Sequence, residues 1–222
     1  VEFRSHVLGT SVEAKGLHVY ELVNHSPAIL IVGGMHGDEP GSAAVASSLV
    51  ELIQTSVGNM MDEHLLVVPR LNPDGLERGT RQNARGVDLN RNFPTTDWKR
   101  TPVSDPYHGG PQSASEPETR MLLEVIRHYT PRRVLAIHAI DGGRHCVNFD
   151  GPAENLARQM AAENGYVVRP DMGYPTPGSL GRWCGFERKV PTVTLELPAE
   201  QEAATCWQQN RDALLSFIQA DF

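Results

Sequence analysis

Cysteine is scarce in this chain: the three thiols in 222 residues, Cys146, Cys184 and Cys206, are too few for a disulfide framework. Reduced thiols in a reducing compartment are expected, with a Cys146–Cys184 bridge as the alternative. No run of about 18 apolar residues occurs, which excludes a spanning helix by the thickness of the bilayer. The opening segment Val1-Glu2-Phe3-Arg4-Ser5-His6 lacks the apolar centre of a secretory signal. The expected location is therefore cytoplasmic, unless a leader has been removed. A Lys/Arg-rich run is missing as well. With 27 acidic against 20 basic residues the formal charge is −7, which excludes wholesale binding to nucleic acid or an anionic membrane. A small molecule or peptide is the expected substrate. There is no internal repeat and no low-complexity tract.

The chain does have enough apolar material, 40% of its residues, to bury one substantial core, and a single domain over residues 1–222 is expected. Ala28-Ile29-Leu30-Ile31-Val32, bounded by Gly33-Gly34, suits a central strand buried on both faces. Apolar residues at helical spacing follow from Gly41 to Thr55. Leu65-Leu66-Val67-Val68 predicts a second strand. A polar passage rich in Gly, Pro, Asn and Asp then runs from Asn72 to about Ser113, long enough to be a site-building excursion. Ser115-Glu116-Pro117-Glu118 has the form of a capping box opening an amphipathic helix to about Tyr129. Val134 to His138 predicts a third strand, Pro152 to Glu163 a helix, Thr192 to Leu197 a late strand, and Ala199 to Gln219 a closing helix. This alternation predicts an α/β fold, a three-layer α/β/α sandwich on a mixed, largely parallel sheet. Ligands of such folds gather beyond the carboxyl ends of the strands.

In Gly33-Gly34-Met35-His36-Gly37-Asp38-Glu39, an imidazole and a carboxylate stand three residues apart where the first strand ends. Such a pair can reach one ion, and a catalytic zinc takes three protein ligands and keeps a fourth position open. His138 ends an apolar strand at the same sheet edge, which singles it out as the third. Alone, a histidine in such a place is more often a hydrogen-bonded core or rim residue, and His-x-x-Glu alone arises by chance. Glu196 interrupts the apolar strand Val193-Thr194-Leu195-Glu196-Leu197, and burying a carboxylate is costly unless a partner or function compensates. The alternative is a glutamate facing solvent on an alternating strand. Arg81, Asn90 and Arg91 lie together in the excursion, where guanidinium groups suit capture of a carboxylate; a solvated, salt-bridged loop is the plainer reading.

These residues resemble the zinc carboxypeptidase family, of the carboxypeptidase A type. The matching pieces are His36-x-x-Glu39, Asn72-Pro73-Asp74-Gly75, Gly86-Val87-Asp88-Leu89-Asn90-Arg91-Asn92-Phe93, His138 and Leu195-Glu196, in the family's order. Within it, Val87 to Pro94, Gly109 to Thr119 and Gly173-Tyr174-Pro175-Thr176-Pro177-Gly178-Ser179 resemble the bacterial murein peptide amidases. These cleave the γ-D-glutamyl–meso-diaminopimelate bond of recycled cell-wall peptides in the cytoplasm. The resemblance implies one zinc ion at His36, Glu39 and His138, and a base and proton shuttle at Glu196. It further implies oxyanion support from Arg81, substrate carboxylate binding by Asn90 and Arg91, and a capping role for Tyr174. One departure stands out: His138 is followed by Ala139-Ile140-Asp141, where the subgroup tends to show an acidic residue at once.

The expected activity is thus zinc-dependent hydrolysis of an amide beside a free carboxyl terminus. Gly181, Arg182 and Trp183 are candidates to line the pocket for the second centre of diaminopimelate. A rival is a zinc-dependent N-acyl amino acid deacylase of the aspartoacylase or succinylglutamate desuccinylase type, which carries an added C-terminal β-domain. A non-catalytic zinc or peptide-binding module is the rival from outside enzymology.

Overall fold

The computed structural model describes residues 2–55 and 63–221. In chain order the elements are β1 (Glu2–Thr10), β2 (Gly16–Val23), β3 (Ile29–Val32), α1 (Pro40–Thr55), β4 (Leu65–Val68), α2 (Pro73–Arg78), α3 (Pro117–Tyr129), β5 (Arg133–Ile140), β6 (Cys146–Asp150), α4 (Glu154–Asn164), β7 (Val167–Arg169), β8 (Thr192–Pro198) and α5 (Ala203–Gln219). Because side chains alternate along a strand, four consecutive apolar residues feed two cores at once. Ile29 and Ile31 of β3 pack with Val45, Leu49 and Phe217 on one face of the sheet. Leu30 and Val32 pack with Leu122, Val125 and Phe93 on the other. Each of these strand residues is at most 1% exposed, a burial that contributes about 1.5–3 kcal/mol per side chain.

The strands form one sheet in the order β1-β2-β4-β3-β5-β8-β6-β7. Its centre, from β4 through β3 and β5 to β8, is parallel. Antiparallel pairings bring in β2 and β1 on one flank and β6 on the other. The result is the expected mixed α/β/α sandwich, in which the carboxyl ends of β3, β5 and β8 meet at one edge.

Several expectations need correction. The Ser115 capping box does not form: α3 begins at Pro117 and receives no side-chain cap. The Ser115 hydroxyl instead donates to Glu116, and the Glu118 carboxylate accepts from the Asn83 amide and the Val12 N–H. Tertiary partners outbid the local motif. The polar excursion does build the site, as expected, and also holds a helix of its own, where Asn72 caps α2 through the N–H of Gly75 with Pro73 in its first turn. Helix α5 starts at Ala203 rather than Ala199, and Ala199 N–H instead bonds the carbonyl of Ile140. The cysteines follow the expectation of reduced thiols and not the Cys146–Cys184 alternative: all three are free and buried. Cys146 sits against the sulfur of Met172 at 4.0 Å, whereas Cys184 packs in the core beside Trp183.

Candidate metal centre and active-site cavity

Two glycines bring the first pair of donors into place. Gly34 has φ of +62°, open to glycine but strained for other residues, and turns the chain back from the end of β3. A Cβ on Gly37 would lie 1.9 Å from the Gly75 carbonyl carbon, so only glycine lets α2 pack on this turn. Ser42 then ties α1 to it, donating from its hydroxyl to the Glu39 carbonyl at 2.7 Å.

His138 reaches the same point from β5. His36 Nδ1 is 2.7 Å from Glu39 Oε1, and His138 Nδ1 is 3.0 Å from Glu39 Oε2 and 3.2 Å from His36 Nδ1. Donor atoms of all three residues lie within 4.8 Å of one another, the one such group among the described residues. Asp88 accepts from His36 Nε2 at 3.0 Å, which places a proton there and turns the Nδ1 lone pair toward the cluster. Two imidazole nitrogens and two carboxylate oxygens facing one another at these separations need a cation or proton between them. The donor set, nitrogen and carboxylate oxygen, suits zinc.

Electrostatics point the same way. Burial works against the charge on His36, but the carboxylates of Glu39 and Asp88 outweigh it and lift its pKa to about 9. Glu39 is also opposed by burial, yet His36 and His138 hold it well below the usual carboxylate range. Asp88 is likewise held low, by His36 and Arg81 against its burial. For metal-free protein the sign is clear. A pKa raised in the fold stabilises fully below its unfolded value of about 6.5 and loses that contribution as pH rises through 9. Glu39 and Asp88, depressed, contribute above their unfolded values near pH 4 and lose it as pH falls. Chelator-treated protein is therefore expected to lose about 3 kcal/mol of unfolding free energy between pH 6.5 and 9, read by urea titration. A flat profile over that window would mean the imidazole is not held charged.

Glu196 lies on β8, paired in parallel register with His138, and is 9% exposed. Among the described residues it accepts no hydrogen bond; burial raises its pKa and Glu39 adds to the rise, while His138 opposes it. It lines a cavity of about 740 Å³ together with His36, Glu39, His138, Arg81 and Asn90. Arg91 and Tyr174 line it too, Tyr174 on the 170–176 segment and 47% exposed. All eight candidate residues thus meet in one cavity. Arg81 pairs with Asp88 Oδ2 through Nε at 3.0 Å and lies 3.5 Å from Glu39. Asn90 holds the far wall by accepting from Leu180 N–H, and its amide nitrogen lies 3.4 Å from His138 Nε2.

Sequence reasoning missed Asp88 and Tyr107. Asp88 carried a readable signal, since a carboxylate between Val87 and Leu89, both buried, repeats the pattern that singles out Glu196. Tyr107 carried none: its ring lies 5.2 Å from the guanidinium of Arg81 and 5.2 Å from that of Arg91, a contact made only by the folded excursion. Of the pocket candidates, Gly181 and Arg182 line the cavity. Trp183 does not; it is 7% exposed and packs on Phe93.

A family model described as zinc carboxypeptidase matches residues 3–149, a span that holds the three donors but ends before Glu196. The chain is 33% identical over 204 residues to murein peptide amidase A of Vibrio campbellii, covering 86% of this chain and 77% of that one. To murein peptide amidase A of Escherichia coli K12 it is 32% identical over 184 residues, covering 76% and 70%. The crystal structure of murein-tripeptide amidase from Escherichia coli O157 is similar with a TM-score of 0.81 at 27% identity, over 98% of this chain and 92% of that one.

Proposed function

Since the chain belongs to the zinc carboxypeptidase family, we propose that it hydrolyses the γ-D-glutamyl–meso-diaminopimelate amide of murein tripeptide, using one zinc ion held by His36, Glu39 and His138. The observation that carries this reading is the convergence of those three donors beside a buried, unpaired Glu196, in a chain similar over most of its length to murein peptide amidases. Zinc, when bound, supplies Lewis acidity that makes a water nucleophilic near neutral pH and polarises a carbonyl.

The protein's own groups do the rest. Glu196 takes a proton from the attacking water and returns it to the departing amine, so that one water is consumed and a dipeptide and free diaminopimelate are released. Arg81 donates to the oxygen on which negative charge develops. Asn90 and Arg91 bind the carboxylate of the residue being released, and Tyr174 covers the bound peptide. No described helix is long and apolar enough to cross a membrane. The reading assigns the reaction to the cytoplasm and to a single catalytic domain; three buried free thiols and one continuous sheet support these two assignments.

Incubating zinc-loaded protein with L-Ala-γ-D-Glu-meso-diaminopimelate should release diaminopimelate, detected by mass spectrometry, and a chelator should stop it. Ordinary α-linked C-terminal peptides offered alongside should be cut at least tenfold more slowly. Preference for the α-linked peptides, or for N-acyl amino acids, would replace the proposed substrate.

A further inference from the structure

The cavity extends well past the residues that the reaction uses. Strand β6 runs antiparallel to β8, with Cys146 opposite Glu196, Asn148 opposite Thr194 and Asp150 opposite Thr192. Opposite residues share a face, so Asn148 and Asp150 stand on the same side of the sheet as Glu196, and both line the cavity. Asp150 is four residues along the strand from the level of Glu196, about 13–14 Å at the usual rise.

Among the described residues, the Asp150 carboxylate accepts no hydrogen bond and makes no ion pair, although it is partly buried. An unpaired carboxylate in such a place is costly unless a cation arrives from outside. Burial raises its pKa, and the charge of Arg182 opposes the rise. Room for it is made deliberately: a Cβ on Gly181 would fall 2.2 Å from Asp150 Oδ2, and one on Gly185 2.5 Å from its Cβ. The absence of both side chains lets the π-helical turn Arg182–Glu187 close over the end of β6.

That turn delivers the opposite charge. Arg182 is anchored by an ion pair from Nε to Asp97 Oδ2 at 2.7 Å, and its guanidinium lies over the Phe186 ring at 4.4 Å. Its two terminal nitrogens donate to no described residue, which leaves that edge of the fork free for a carboxylate. Cation and anion thus line the same cavity without pairing to each other.

We propose that Asp150 and Arg182 determine specificity by reading a second amino–carboxylate centre on the released residue, Asp150 taking its ammonium and Arg182 its carboxylate. The inference rests on the proposed substrate and deepens it. An extended three-methylene link with a hydrogen bond of about 3 Å at each end reaches about 13 Å, the separation of Asp150 from Glu196 along the sheet. A released residue with neither a distal ammonium nor a distal carboxylate leaves both charges unpaired.

The test uses zinc-loaded wild type, Asp150→Asn and Arg182→Gln with three γ-D-glutamyl tripeptides. Their last residue is meso-diaminopimelate, lysine (ammonium without the distal carboxylate) or 2-aminopimelate (carboxylate without the ammonium). Asp150→Asn should raise KM roughly 10- to 100-fold for the diaminopimelate and lysine peptides and leave the aminopimelate peptide unchanged. Arg182→Gln should raise it for the diaminopimelate and aminopimelate peptides and spare the lysine peptide. Each variant is judged by the ratio of KM values within one preparation, so loss of folded protein cancels. Uniform changes across the peptides, or none, overturn the inference while the proposed substrate stands. If the wild type cleaves no tripeptide, the substrate assignment fails and the inference falls with it.

Discussion

Replacing Glu196 by glutamine is expected to lower kcat on the murein tripeptide by roughly 10²–10⁴-fold while zinc content stays at one ion per chain. Glutamine preserves the size and the strand position, and none of the three metal donors depends on Glu196 for a hydrogen bond. What it removes is the ability to accept and return a proton. In the metal-free protein burial raises the pKa of this carboxyl and Glu39 adds to the rise. The acidic limb of kcat/KM should report deprotonation of Glu196 and vanish in the glutamine variant, since activity requires the deprotonated form. Steady-state assays with metal analysis of the same sample decide the matter. Activity within tenfold of wild type would remove Glu196 from the mechanism and leave the water to be activated without it.

The part of this site that could be read in the sequence is the part built by extreme local contrast. Strands β3, β4, β5 and β8 are apolar on both faces, so their runs are unbroken, and a His or Glu inside such a run stands out against a strong cost of burial. Strands β1 and β2 gave no such contrast. They sit at the flank, where buried Glu21 bonds the half-buried His6 and His64 and the polar cluster breaks the apolar alternation of the region. Strand β6 is only Cys146-Val147-Asn148-Phe149-Asp150, and its two polar positions are polar because they face the cavity. The same property that makes Asp150 informative in the fold conceals its strand in the sequence. Tyr107 shows a different limit: its contact with Arg81 and Arg91 joins parts of the excursion through loop conformation, which leaves no periodic trace.

Arg81→Lys is expected to reduce kcat by roughly 10²–10³-fold at saturating zinc, with little change in KM. The side chain is held from several directions: Nε by Asp88 at 3.0 Å, Nη1 near Glu39 at 3.5 Å, and the guanidinium against the Tyr107 ring. A planar fork can satisfy Asp88 with one edge and present another to the cavity, whereas a lysine ammonium is a single point that must choose. Because Asp88 also fixes His36, a lysine drawn to Asp88 no longer reaches the substrate oxygen. An interaction that strengthens only as charge develops appears in kcat, not in KM. Arg91→Ala should show the opposite split, raising KM for a substrate whose terminal carboxylate it binds and sparing kcat. If Arg81→Lys instead raises KM with kcat intact, Arg81 binds the ground-state peptide, and the stabilisation of the oxyanion must come from elsewhere in the cavity.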